Sequence, residues 1–115
     1  MLTEKNRLRH KKDFESIFGH GLKAYGNGLG LRFGKRYKPE APVRIGFMVG
    51  TKVSKEAVVR NKLKRRMREV AREIVMQLPP GLDLVFIAFP EARDYKIEQV
   101  REQMVGVLKK AKLLP

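Results

Sequence analysis

The chain has 115 residues, 43% of them hydrophobic, which is enough for one compact domain with one core and too little for two. Lysine and arginine number 26 against 12 aspartate and glutamate, giving a formal charge of +14 and a pI near 10.5, so the expected partner is a polyanion, nucleic acid before membrane. Cysteine is absent, which excludes disulfides, thiolate metal sites and cysteine nucleophiles; no apolar run approaches the roughly 20 residues that span a bilayer, and nothing at Met1 resembles a signal peptide, so the reading is cytoplasmic.

Residues 1–10 carry Lys5, Arg7 and Arg9 with little apolar periodicity, which predicts a basic, flexible N-terminal arm with Leu8 as its anchor. From Lys11 onward, Phe14, Ile17 and Phe18 recur at the three-and-four spacing of a short helix that Gly19 and Gly21 end. The two rings have two readings. Either they pack into the core, or at least one lines a groove where an unpaired base stacks, a contact worth roughly 1–3 kcal/mol per base.

After Leu22 to Tyr25 comes GNGLGLRFG, which lacks the helix and the Gly-Lys-Ser/Thr ending of a phosphate-binding loop. Leu29, Leu31 and Phe33 alternate instead with Gly30, Arg32 and Gly34. This is a strand with one apolar face and one face bare except for Arg32, open to close approach by another backbone, protein or nucleic acid. YKPEAP reads as a turn, and Val43, Ile45, Phe47 and Val49 then alternate with Arg44, Gly46, Met48 and Gly50 as a further strand, expected to pair with the one at 29–34 as a hairpin.

Residues 51–72 hold nine cations against Glu56 and Glu69, so half of the net charge sits in about a fifth of the length. At helical spacing, Val59, Leu63, Met67, Val70, Ile74 and Leu78 form one apolar stripe, while Asn61, Arg65, Arg68 and Arg72 line the opposite side with Lys64 beside them. Ser54 is the expected N-cap. Glu69 and Glu73 fall on a flank near Lys62 and Arg66, where pairs contribute a few tenths of a kcal/mol each; the Asn61 to Arg72 side has no such partner. Solvated helix faces usually mix signs, and unpaired like charges four apart repel, so this face calls for an anionic partner. Arg60 projects to the edge of the stripe, toward a cleft or a buried partner.

This helix ends at or before Pro79-Pro80-Gly81. LDLVFIAF is a near-continuous apolar run of strand length, which predicts a strand covered on both faces. Pro90 stops it. Asp94 is placed to cap a last helix with a stripe of Ile97, Val100, Met104, Val107 or Leu108, and Ala111. The order αβββαβα predicts a single-domain α/β sandwich of the α+β class, with a mixed four-stranded sheet covered mostly by helices.

No catalytic constellation is visible. The acidic residues are scattered, and His10 and His20, the only histidines, lack a second ligand at metal spacing. Two-metal phosphodiester hydrolysis gathers carboxylates or phosphates around ions about 3.5–4 Å apart. No catalytic residue and no metal ligand is therefore assigned to this chain.

The run Ala57-Val58-Val59-Arg60-Asn61-Lys62-Leu63-Lys64-Arg65-Arg66-Met67-Arg68 resembles the signature of the bacterial ribonuclease P protein family, an Arg-Asn-Arg/Lys element followed by hydrophobic, basic and Arg positions. Leu8, Asp13-Phe14 and Ile17-Phe18 resemble the family's first helix, Arg44-Ile45-Gly46-Phe47 the strand before the signature, and Asp83, Val85 and Ile87 the strand after it. The similarity covers nearly the whole chain. It departs at Phe89-Pro90, where members often carry a basic residue, and in the few aromatics of the glycine-rich strand; both imply weaker nucleic-acid contact there.

The resemblance implies a small protein that joins a large catalytic RNA to remove the 5′ leader of precursor tRNA. The RNA would hold the catalytic magnesium ions, and the protein would bind the single-stranded leader in a cleft between sheet and first helix. It also implies a left-handed βαβ crossover around the basic helix, opposite to the usual hand. On this reading Arg60, Asn61, Lys62, Lys64, Arg65, Arg68 and Arg72 meet the catalytic RNA, with Asn61 organising that face or helping a hydrated metal. Phe14, Phe18 and Lys52, with Arg32 a weaker candidate, meet the leader. No membrane and no obligate protein partner is expected. A ribosomal or chaperone-type RNA-binding protein without a nuclease is the competing class. A DNA-binding protein is opposed by the lack of helix-turn-helix spacing, and an independent nuclease by the missing metal site.

Overall fold

A computed structural model describes residues 3–36 and 38–115, with the backbone alone for His20. Its elements are helix α1 (Lys11–His20), strands β1 (Leu22–Tyr25), β2 (Leu29–Lys35) and β3 (Arg44–Met48), helix α2 (Ala57–Ile74), strand β4 (Leu82–Ala88) and helix α3 (Ile97–Lys110). This is the expected order. Met1 and Leu2 of the arm, and Tyr37 of the expected turn, lie outside the described residues.

The apolar run at 82–88 becomes the interior strand of a mixed sheet ordered β1-β2-β4-β3. β4 lies antiparallel to β2 from Leu29↔Ala88 to Lys35↔Leu82 and parallel to β3 from Arg44↔Asp83 to Met48↔Ile87. The expected hairpin between the strands at 29–34 and 43–49 does not form. The hairpin lies one strand earlier, where β1 and β2 pair across Gly26-Asn27-Gly28 and the Gly26 amide donates to the Leu29 carbonyl at 2.8 Å. β4 intervenes between β2 and β3 because it alone has apolar residues for both sheet faces.

Strand alternation sorts the two faces. Leu31, Ile45, Leu84 and Phe86 face α2 and α3, which add Leu63, Met67 and Val70 from one helix and Val100, Met104 and Leu108 from the other. Burial of each such side chain contributes about 1.5–3 kcal/mol. The opposite face carries a smaller cluster of Leu8, Ile17 and Val85, with Phe14, Phe18 and Ile87 partly buried against it. The result is three layers, with α1 on one side and α2 and α3 on the other.

The caps differ from expectation. α2 begins after Glu56, and the buried Ser54 hydroxyl accepts the Glu56 amide at 3.1 Å, so Ser54 shapes the approach to the helix and leaves its first turn uncapped. α3 begins after Lys96, whose amide donates to Gln99 Oε1 at 2.9 Å; Asp94 lies too early to cap it. Ahead of α1, the Leu8 amide donates to the Ile45 carbonyl at 3.0 Å and Asn6 Nδ2 to the Val43 carbonyl at 2.7 Å, so residues 6–8 run along the outer edge of β3. Among the described residues no helix is long and apolar enough to cross a membrane.

Candidate nucleic-acid interface

The α2 stripe falls as its spacing requires. Leu63, Met67, Val70 and Ile74 are buried and joined by Ala71, while Asn61, Lys62, Arg65, Arg68 and Arg72 are exposed and Lys64 is half-buried. Asn61, Lys62, Lys64, Arg65 and Arg68 have no hydrogen-bonding or ion-pair partner for their side chains among the described residues.

Other polar residues of the helix do have partners. Arg72 pairs with Glu69, and that hydrogen bond holds the Glu69 carboxyl below the usual carboxylate range, so the outer side does have an internal partner at its C-terminal end. Glu73 pairs with Arg101 of α3 at 2.8 and 2.9 Å, which likewise lowers its pKa, and the expected flank pairs with Lys62 and Arg66 do not form. The reason is reach: a guanidinium on a packed neighbouring helix can take both oxygens of Glu73 in one plane. Arg60 Nη1 donates to the carbonyls of Ser54 and Lys55 at 3.0 Å each, tying the incoming loop to the first turn of α2.

The α1 face of the sheet gathers three of the four residues assigned to the leader. Phe14 lies over Gly46, where an added Cβ would come within 2.6 Å of the Phe14 ring and 3.3 Å of Leu8. Arg32 sets its guanidinium 5.1 Å from the centre of the Phe18 ring and donates from Nη1 to the Phe18 carbonyl at 3.3 Å. Its Nε–H is the buried side-chain donor among the described residues that lacks an acceptor. Such a group costs about 1–3 kcal/mol unless something supplies the acceptor. Lys52 is exposed in the turn after β3 and belongs to no cluster with these residues.

Two further rings lie on this face. Tyr25 and Phe89 stand with centroids 6.1 Å apart at 39°, and an added Cβ on Gly30 would fall 2.8 Å from the Phe89 ring and 3.2 Å from Tyr25. The glycines of this surface therefore admit aromatic side chains where close approach by another backbone was expected. At the position where a basic residue was anticipated, Phe89 supplies half of an aromatic pair. Tyr25 is 48% exposed and Met48 41%, so this part of the face is open. The signal available in the sequence was Gly30 itself, although of its two neighbours only Tyr25, across the β1–β2 hairpin, is near in sequence, while Phe89 follows β4.

A charged bolt fixes α1 to the sheet. Arg44 donates from Nε and Nη2 to the two oxygens of Asp83 at 2.8 and 2.7 Å, and from Nη1 to Asp13 in the first turn of α1 at 3.1 Å. Arg36 Nε stands 3.7 Å from Asp83. Asp83 is buried, and its hydrogen bonds raise the Arg44 guanidinium above its ordinary value. Packing on this face is tight enough to test: Gly46→Ala should destabilise the fold by about 1–3 kcal/mol in urea unfolding, as Phe14 is pushed off its site.

The described residues contain no group of three or more His, Asp or Glu side chains able to hold a metal ion. The arrangement offers an unpaired cationic helix face and, across the sheet, an aromatic surface with one orphaned donor.

Comparison with known proteins gives one consistent result. The ribonuclease P family is matched over residues 2–112. The ribonuclease P protein component of a Picosynechococcus strain is 34% identical over 97% of this chain and 95% of its own length, and that of Microcystis aeruginosa 35% identical over 98% and 96%. Among solved structures, the ribonuclease P protein of Staphylococcus aureus superposes with a TM-score of 0.86 at 26% identity, covering 96% of this chain and 98% of that one. The protein from Thermotoga maritima superposes at 0.79 with 31% identity, covering 90% and 96%.

Proposed function

The chain belongs to the ribonuclease P protein family, and from that membership we propose a division of its surface between two RNAs. It is the protein subunit of the ribonuclease P ribonucleoprotein, a metal-dependent endoribonuclease of tRNA 5′ processing, and its partner is the RNA subunit. The outer face of α2 binds that RNA through Asn61, Lys62, Lys64, Arg65 and Arg68, with Arg72 a lesser contributor and Arg60 holding the helix start. The observation that carries this reading is that Lys62, Lys64, Arg65 and Arg68 of α2 have no counter-charge among the described residues.

The α1 face takes the single-stranded 5′ leader of precursor tRNA. Phe14, Phe18, Tyr25 and Phe89 offer rings to unstacked bases, and Arg32, half-buried beside Phe18, offers its charge to the backbone. Lys52 adds charge at the margin. Stacking plus charge is nearly indifferent to base identity, which suits an enzyme that meets many leaders. Magnesium, held mainly by the RNA subunit, would supply the polarisation of the scissile phosphate. This chain's contribution is to neutralise RNA phosphates and hold the leader, which lowers the magnesium needed. The compartment is the cytoplasm, where both RNAs are made.

The test is leader cleavage of a precursor tRNA by a bacterial ribonuclease P RNA at low magnesium, with and without this protein. Stimulation is expected, and it should weaken when the leader is cut to one or two nucleotides. Equal stimulation of long and truncated leaders would remove the leader from the α1 face.

A further inference from the structure

Beside α2, on the side of α3, lies a notch of about 210 Å³ between the helix and the segment Arg93–Lys96. Lys62, Arg66, Arg93 and Lys96 line it with Asp94 and the exposed Val58. Asp94 forms no salt bridge, and Lys62 and Arg93 have no side-chain partner among the described residues. Arg66 Nη1 donates to the Tyr95 carbonyl at 2.8 Å, so the segment that carries Arg93 and Lys96 is pinned to α2.

We propose that this notch is part of the surface that binds the catalytic RNA, and that it receives a backbone phosphate. Four cations against one carboxylate repel in the free chain, and an entering phosphodiester relieves that repulsion. The volume is below the range of small-molecule pockets, which suits one phosphate of a strand lying outside better than a whole bound nucleotide. Lys62 is one residue from Asn61 and three from Arg65, so the notch continues the outer face of α2. It lies on the α2 and α3 side of the sheet, whereas the aromatic surface lies on the α1 side. A leader bound among those rings is separated from it by the sheet, which leaves the catalytic RNA as the ligand. The inference rests on the reading that the outer face of α2 meets that RNA.

The experiment measures binding of the full chain to a bacterial ribonuclease P RNA, without substrate, as a function of salt. The double variant Arg93→Gln/Lys96→Gln changes two exposed residues and should melt as the parent does. It should flatten the logarithmic salt slope by about one unit and weaken binding about tenfold at 0.1 M salt. Its preference for precursor over mature tRNA in the assembled enzyme should be unchanged. Parental slope and affinity in this variant, while Arg65→Ala/Arg68→Ala binds more weakly, would overturn the notch alone. Parental behaviour in both would overturn the α2 reading as well, and a loss seen only with precursor tRNA present would assign the notch to substrate.

Discussion

Asp83→Ala should lower the unfolding free energy by about 3 kcal/mol, because it leaves the Arg44 guanidinium buried beside its empty place. For a chain of this size that corresponds to a fall of about 10 °C in the melting midpoint. The value sits at the low end for a broken buried pair, since Arg44 keeps Asp13 as a partner and its side chain is still 19% exposed. Asp83→Asn keeps the shape and one acceptor, and should cost less. Asp13→Asn should cost less again, because Asp13 is more exposed and Arg44 retains the bidentate contact. The order Ala, then Asn at 83, then Asn at 13 distinguishes a buried electrostatic bolt from simple packing. Equal small losses in all three melts would sink the idea.

Arg65→Ala combined with Arg68→Ala should weaken binding to the catalytic RNA about a hundredfold at 0.1 M salt. Each phosphate left without its arginine takes about 0.9 off the slope of log affinity against log salt, which is about tenfold per phosphate at that concentration. Both side chains are exposed and unpaired, so stability should change little and the melt serves as the control. Arg72→Ala should have a smaller effect, because Arg72 is already committed to Glu69. Glu69→Gln should tighten RNA binding by releasing that guanidinium. A slope unchanged in the double variant would show that the face makes no phosphate contact.

The elements were legible because each is written in a local period. The apolar stripe of α2, the alternation of β2 and the two-sided run of β4 all follow from spacing along a few turns or residues. Pairing was less legible. The alternations at 29–34 and 43–49 fit each other as well as they fit β4, and only the need of β4 for cover on two faces decides between them. Helix starts failed at Ser54 and Asp94 for a related reason, since both are good caps intrinsically and tertiary packing began each helix two or three residues later. At the interface, the outer cations of α2 could be read from spacing. The Glu69–Arg72 pair, three residues apart, was within reach of the same rule but Glu69 was assigned to the other flank, and the Glu73–Arg101 pair joins two helices and leaves no local trace. The Tyr25–Phe89 pair was hidden because β2 lies between its two strands, with Gly30 the one trace of it in the sequence.

The placement of β4 also orders events in time. As the chain leaves the ribosome, β1 and β2 can close their hairpin and residues 57–74 can begin to coil, yet β3 has no neighbouring strand until residues 82–88 have been made. The apolar faces of β2, β3 and α2 must wait for a late strand to join them, and such non-local pairing is slow. The nascent chain thus passes through a stage with its cationic segment synthesised and its core incomplete. RNA that binds at that stage would act on folding as well as on the finished enzyme.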